Sequence, residues 1–182
     1  MRVAAIASIL VGLTAARAAA ADASPFADKP TAIRVVGGPL TPVGFLGLEA
    51  ERTLLPIWSV SVGAGFGYDS PQIAAMSHLL LGGDRSKVTI GAGVSGGHHT
   101  FEAICVDTIC ARKTGTVAWV DLEIGGAHRW PGGLSMRYFA GYGRVVAGHL
   151  VCDTETHDEC VTNHANEGRD RVYTGFAFGF AF

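Results

Sequence analysis

The stretch Ile57-Trp58-Ser59-Val60-Ser61-Val62-Gly63-Ala64-Gly65-Phe66-Gly67-Tyr68 decides the fold. Trp58, Val60, Val62, Ala64, Phe66 and Tyr68 share one parity, and Ser59, Ser61, Gly63, Gly65 and Gly67 share the other. Successive side chains of a β-strand point to opposite faces, so this is a strand with one bulky apolar face and one face of small residues.

The same split recurs along the chain. Val88, Ile90, Ala92 and Val94 oppose Thr89, Gly91 and Gly93; Ala118, Val120, Leu122 and Ile124 oppose Trp119, Asp121, Glu123 and Gly125. Leu134, Met136, Tyr138, Ala140 and Tyr142 oppose Ser135, Arg137, Phe139, Gly141 and Gly143. The last stretch, 172–182, places Phe176, Phe178, Phe180 and Phe182 opposite Gly175, Ala177, Gly179 and Ala181. Less regular segments at 31–37, 44–52 and 73–81 complete a set of eight predicted strands, each about 8 to 13 residues long.

The connections order these strands. Turn-like links are predicted at 52–56, 82–86 and 129–133, the last reading Arg-Trp-Pro-Gly-Gly, and Leu54 and Leu55 fall in the first of them. Long links follow the fifth and seventh strands, near 97–114 and 148–169. In an up-and-down barrel alternate connections lie at one end, so both long links belong to the same rim. Short turns at one rim and long loops at the other are the asymmetry of outer-membrane barrels.

A water-soluble eight-stranded barrel, such as a lipocalin-like carrier, would cover its outside with long polar groups and keep bulky apolar residues inside. Here the second face is mostly Gly, Ser, Thr and Ala, which suits a narrow interior and covers a surface poorly. The bulky face is therefore predicted to look outward, toward lipid, giving an all-β, eight-stranded antiparallel up-and-down transmembrane β-barrel. Arg34, Glu49, Glu51, Asp121, Glu123 and Arg137 then fall on the inner face, where isolated charges would be costly and an ion-paired network is expected. That network is read as a structural filling of the lumen in preference to a gated polar path, because side chains usually fill eight-stranded interiors.

Composition bounds the rest. The chain has 182 residues, enough for one domain; 16% are charged and the formal charge is −2, so nothing in the electrostatics favours a nucleic-acid partner. Beyond residue 23, no apolar run is long enough for a membrane-spanning helix. Residues 1–23 combine Arg2, an apolar run over 3–16 and an alanine cluster with A-x-A sites around Ala19 to Ala23, the layout of a secretory signal peptide. Residues 24–182 are then the barrel domain, folding in an oxidising compartment.

On these features the chain resembles small outer-membrane β-barrels of the OmpA and OmpX type, over about 31–182. The resemblance implies a bacterial outer-membrane location, outer-membrane lipids as surroundings, and a barrel-assembly machinery that recognises the aromatic last strand. Phe176, Phe178, Phe180 and Phe182 match that assembly signal, with Val172 continuing it. Trp58, Tyr68, Trp130, Tyr138 and Tyr142 are candidates for aromatic girdles at the two membrane interfaces.

Cys105 and Cys110 fall in one long link, and Cys152 and Cys160 in the other. Disulfides are the default on an oxidised rim. Three connectivities exist for four cysteines, and local pairing, Cys105 to Cys110 and Cys152 to Cys160, is preferred because it needs no meeting of loop tips. A zinc site is disfavoured by the absence of C-x-x-C spacing. The run from Asp153 to Glu159, with His164 and Glu167 beyond, is read as a solvated acidic loop before a calcium site, and adjacent His98 and His99 point to opposite faces. No metal or cofactor is expected.

The leading reading is a non-enzymatic barrel serving envelope stability or an unidentified surface ligand through disulfide-stapled loops. A lipid-modifying enzyme of the lipid A deacylase or palmitoyltransferase type is the alternative, and it needs a Ser, a His base and an acid at one place. Ser77 with His78 and His128 with Ser135 are both predicted to point apart. A small pore is the third class, and eight strands enclose little space for one.

Overall fold

The computed structural model describes residues 24–67, 70–101, 105–106, 109–110, 113–152 and 170–182. The predicted signal segment and the acidic run of the second long link lie outside the described residues. A short helix α1 (Pro25–Asp28) precedes β1 (Thr31–Thr41), β2 (Gly44–Leu55), β3 (Trp58–Phe66), β4 (Pro71–Gly82) and β5 (Ser86–Phe101). A two-stranded hairpin, β6 (Cys105–Val106) and β7 (Ile109–Cys110), stands apart from the barrel sheet. Then follow β8 (Lys113–Arg129), β9 (Leu134–Cys152) and β10 (Arg171–Ala181).

β1, β2, β3, β4, β5, β8, β9 and β10 close into one antiparallel barrel, each paired with its neighbours in the sequence and β1 paired with β10. Over the height shared by all eight strands, closure pairs each strand on both sides and satisfies its backbone groups strand to strand. The seam is completed where Phe182 N–H donates to the Thr31 carbonyl at 2.8 Å and Thr31 N–H donates to the Phe182 carbonyl at 3.1 Å.

Alternation sets the facing. Ile33, Val35, Leu48, Val62, Phe66, Ile73, Val94, Leu122, Ile124 and Val172 stand exposed on the outer wall, and Phe176, Phe178, Phe180 and Phe182 join them. Small and charged residues of the opposite parity are buried inside. Register fixes this division, because a slip of one residue would turn every phenylalanine of β10 into a lumen too narrow for it.

The strands are longer than the sequence pattern predicts. β5, β8 and β9 have 16, 17 and 19 residues. Pairing between β4 and β5 stops at Gln72 with Gly97, whereas β5 and β8 stay paired to Phe101 with Lys113. The three strands therefore rise above the rest of the loop-side rim. There the apolar alternation fades, in Ser95-Gly96-Gly97-His98. β1 also runs past Pro39 to Thr41, through a register shift between Gly37 and Thr41, with Gly38 and Leu40 at positive φ. Leu54 and Leu55, predicted in a turn, belong to the end of β2 and are exposed on its surface.

Packing inside is layered. At the short-turn end Phe26 of α1 packs with Leu80 and Ala127. Fully burying such a ring is worth roughly 1.5–3 kcal/mol. Nearer the loop end Val36, Val43, Ala74, Phe139, Tyr173 and Ala177 form a second cluster, with Val43 folded inward from the β1–β2 link.

Candidate functional site

Between those apolar clusters the lumen holds a continuous run of charged side chains. Arg129, at the end of β8, places Nη2 3.4 Å from Glu51 Oε1. Glu51 pairs with Arg34, whose Nη2 lies 3.1 Å from Glu49 Oε1. Glu49 Oε2 accepts from Arg137 Nη2 at 2.5 Å, and Arg137 Nη1 reaches Glu123 Oε1 at 2.6 Å. His78 ends the run, its Nε2 2.6 Å from Arg137 Nη1. A guanidinium only donates, so that imidazole nitrogen is the acceptor in this contact. The 3.4 Å from His78 Nε2 to Glu123 is then proximity, not a hydrogen bond.

Arg34, Arg129 and Arg137 balance Glu49, Glu51 and Glu123, and all are buried. Ser135 Oγ accepts from Arg34 at 3.3 Å, and Ser61 Oγ donates to Glu49 at 3.3 Å. Pairing of this density offsets the desolvation that one isolated charge would suffer. The bonds also run across the barrel, from β1 and β2 to β8 and β9, so they tie the first strands to the last ones from inside. Room for His78 comes from Gly91, where an added Cβ would lie 2.7 Å from the ring carbon Cδ2.

A second ionic group sits at the loop end. Arg171 Nη2, at the start of β10, donates to Asp121 Oδ1 at 3.1 Å and to Ser95 Oγ, and Ser95 Oγ donates in turn to Asp121. The Arg171 guanidinium lies over the Trp119 ring, 4.2 Å from its centroid. Gly143 leaves space for this group, since a Cβ there would meet Asp121 Oδ1 at 2.6 Å. Between the two groups stand Tyr173 and Phe139, edge to face at 6.2 Å. The Arg171 guanidinium is 5.8 Å from the Tyr173 ring and that of Arg137 is 4.8 Å from Phe139, so the aromatic pair separates them.

The predicted inner charges thus divide. Arg34, Glu49, Glu51, Glu123 and Arg137 meet in one run, and Asp121 belongs to the other group. Sequence reasoning missed His78, Arg129 and Arg171. Parity would have found them: His78 shares the inward register of Ala74 and Met76, Arg129 that of Asp121 and Glu123, and Arg171 that of Ala177. A residual cavity of about 10 Å³ beside Glu49, Ser61, Glu123 and Arg137 has the size of one water site.

On the outer wall Trp58 and Tyr142 are exposed near opposite rims, Trp130 is half-buried in the link after β8, and Tyr138 lies between the rims opposite Phe176. Tyr68 lies outside the described residues. At the loop rim the Tyr142 hydroxyl donates to Asp170, whose other oxygen accepts from the Val145 amide at 3.2 Å. These two donors hold the Asp170 carboxyl below its usual range, the tyrosine first.

Ser77 and His78 do point apart, Ser77 accepting from Trp58 Nε1 at 2.7 Å outside while His78 is inside. His128 lies on the outer wall beside Ser86, with Ser86 Oγ 2.7 Å from its Nδ1, while Ser135 is in the lumen. Cys105 and Cys110 are direct register partners in the small hairpin, whereas Cys152 ends β9 opposite Lys113 and Cys160 lies outside the described residues.

No protein-family model and no curated protein matches the chain. Among solved structures, the chain is similar to Acinetobacter baumannii CarO, with a TM-score of 0.48 and 11% identity over 84% of this chain and 98% of that one. It is also similar to Acinetobacter baumannii CarO2, with a TM-score of 0.42 and 10% identity over the same shares. The barrel assignment rests on the strand register itself.

Proposed function

We propose that the chain is a non-enzymatic integral barrel of the bacterial outer membrane that supports the envelope and presents a raised loop-side surface to an unidentified ligand. The observation that carries this reading is the outer wall: a belt of exposed Leu, Ile, Val and Phe surrounding a lumen that holds paired charges. Such a wall is stable against lipid and would aggregate in water. Outer-membrane lipids are then its immediate partners, and Phe182 with the phenylalanines before it is the feature for assembly machinery to read.

The lumen supports a structural role over a conducting one, because its charges are engaged with one another, an apolar cluster stands at the short-turn end and a second one separates the two ionic groups. β5, β8 and β9, rising above the loop rim, are the surface available for recognition. Register pairing of Cys105 with Cys110 supports a local disulfide in the β6–β7 hairpin, and Cys152 to Cys160 is proposed as the second.

The test is membrane fractionation combined with a heat-modifiability gel of the mature protein. Recovery with the outer membrane and a folded band that shifts on boiling are expected. A soluble, non-shifting protein would overturn the location, and steady conductance in planar bilayers would overturn the structural reading of the lumen.

A further inference from the structure

The short-turn mouth of the barrel is closed by a segment that belongs to no strand. Residues 24–29 lie before β1, and their backbone takes no part in the barrel ladders. Phe26 is only 2% exposed, inserted against Leu80 and Ala127. The Arg129 guanidinium lies 4.3 Å from its ring centroid and Lys87 Nζ 5.8 Å, so two cations face one aromatic ring. Two further bonds hold the segment: Arg129 Nη1 donates to the Lys29 carbonyl at 2.6 Å, and Ser24 Oγ donates to the Asp84 carbonyl at 3.0 Å.

The first firm backbone anchor comes just after, where Thr53 N–H donates to the Pro30 carbonyl at 2.7 Å. Everything before Pro30 can leave the mouth without breaking a barrel hydrogen bond, and Lys29 with Pro30 is the pivot. Behind Phe26 lies Arg129, the first member of the run that continues through Glu51 to Arg34. Withdrawal of the ring removes both the aromatic face and the Lys29 carbonyl from Arg129.

We infer that residues 24–29 are a reversible stopper, seated by Phe26, whose withdrawal opens the lumen charges to water from the short-turn side. Local opening of this kind needs less than global unfolding, because it releases one side chain and two hydrogen bonds rather than a strand ladder. The inference depends on the barrel and not on its proposed location.

The experiment places a cysteine in the socket. Leu80→Cys is introduced into the full chain, folded in detergent micelles, and exposed to a small charged thiol reagent; the parent chain supplies the background of the native cysteines. Slow but measurable labelling of the folded band is expected, rising at least roughly tenfold when Phe26→Ala is added. Equal rates with and without Phe26 would show that the segment is no barrier. Complete protection over hours, with full labelling after denaturation, would show a fixed seal. If Leu80→Cys gives no heat-shifted band, Ala127→Cys probes the same socket.

Discussion

The lumen holds two ionic groups of similar chemistry and different reach. The run from Arg129 to His78 draws on β1, β2, β4, β8 and β9, crossing the interior so that residues early in the chain depend on residues late in it. The group of Arg171, Asp121 and Ser95 draws on β10, β8 and β5 and stands at the loop-side end beside the Trp119 ring. One group staples the barrel across its width, and the other fixes local side chains at a mouth. Pairing alone therefore does not tell how much a buried charge matters; what counts is how many strands lose their tie when it goes.

The sharpest way to break this contrast is to remove its central residue. Arg137→Ala takes the guanidinium from Glu123 and leaves Glu49 with Arg34 and Ser61, and a loss of about 3–5 kcal/mol is expected, read as a lowered urea midpoint for the barrel refolded in lipid vesicles. Arg171→Ala leaves Asp121 with the Ser95 hydroxyl, so the loss should be nearer 2 kcal/mol in the same measurement. If Arg171→Ala proved the costlier change, the stapling argument would fail.

Combining the two substitutions tests the separation itself. With Tyr173 and Phe139 between the groups, the two losses should add within roughly 0.5 kcal/mol. A coupling above about 1 kcal/mol would mean that the aromatic layer transmits the disturbance instead of insulating it.

The smallest effect concerns the rim above the second group. Asp170 has its folded pKa depressed, chiefly by the Tyr142 hydroxyl and then by the Val145 amide. Its support for the start of β10 is thus present above the pKa of an unfolded aspartate and is lost as pH falls through the lower folded value. The Val145 amide resonance should follow that titration with a midpoint below the ordinary aspartate range, and Tyr142→Phe should move the midpoint upward. An unmoved midpoint would remove the tyrosine from the account.

Much of this architecture was legible because a bulky apolar outer wall and a narrow lumen impose opposite demands on adjacent residues, which writes a period of two into every wall strand. The eight strands, their outward phenylalanines and most of the inner charges follow from that one constraint. Where the constraint lapses, so does the reading. In the upper parts of β5, β8 and β9 the alternation fades, and their Gly and His residues resemble a loop. Arg129 was assigned to a turn because Trp130-Pro131-Gly132-Gly133 follows it, although its parity matched Glu123. Phe26 was invisible for a different reason: the Pro25 to Pro30 stretch has no periodicity, and its burial depends on a socket assembled from β4 and β8, far away in the sequence.

The reciprocal hydrogen bonds between Thr31 and Phe182 make the barrel wall cyclic in everything but a covalent link. A circular permutant, joined across that seam and reopened in the 153–169 link, would keep every strand neighbour while moving Phe182 from a chain end into the interior of the polypeptide. Such a molecule separates two properties, the stability of the closed wall and the proposed reading of Phe182 by assembly machinery. Refolding into detergent would report the first, and delivery to the membrane in living cells the second.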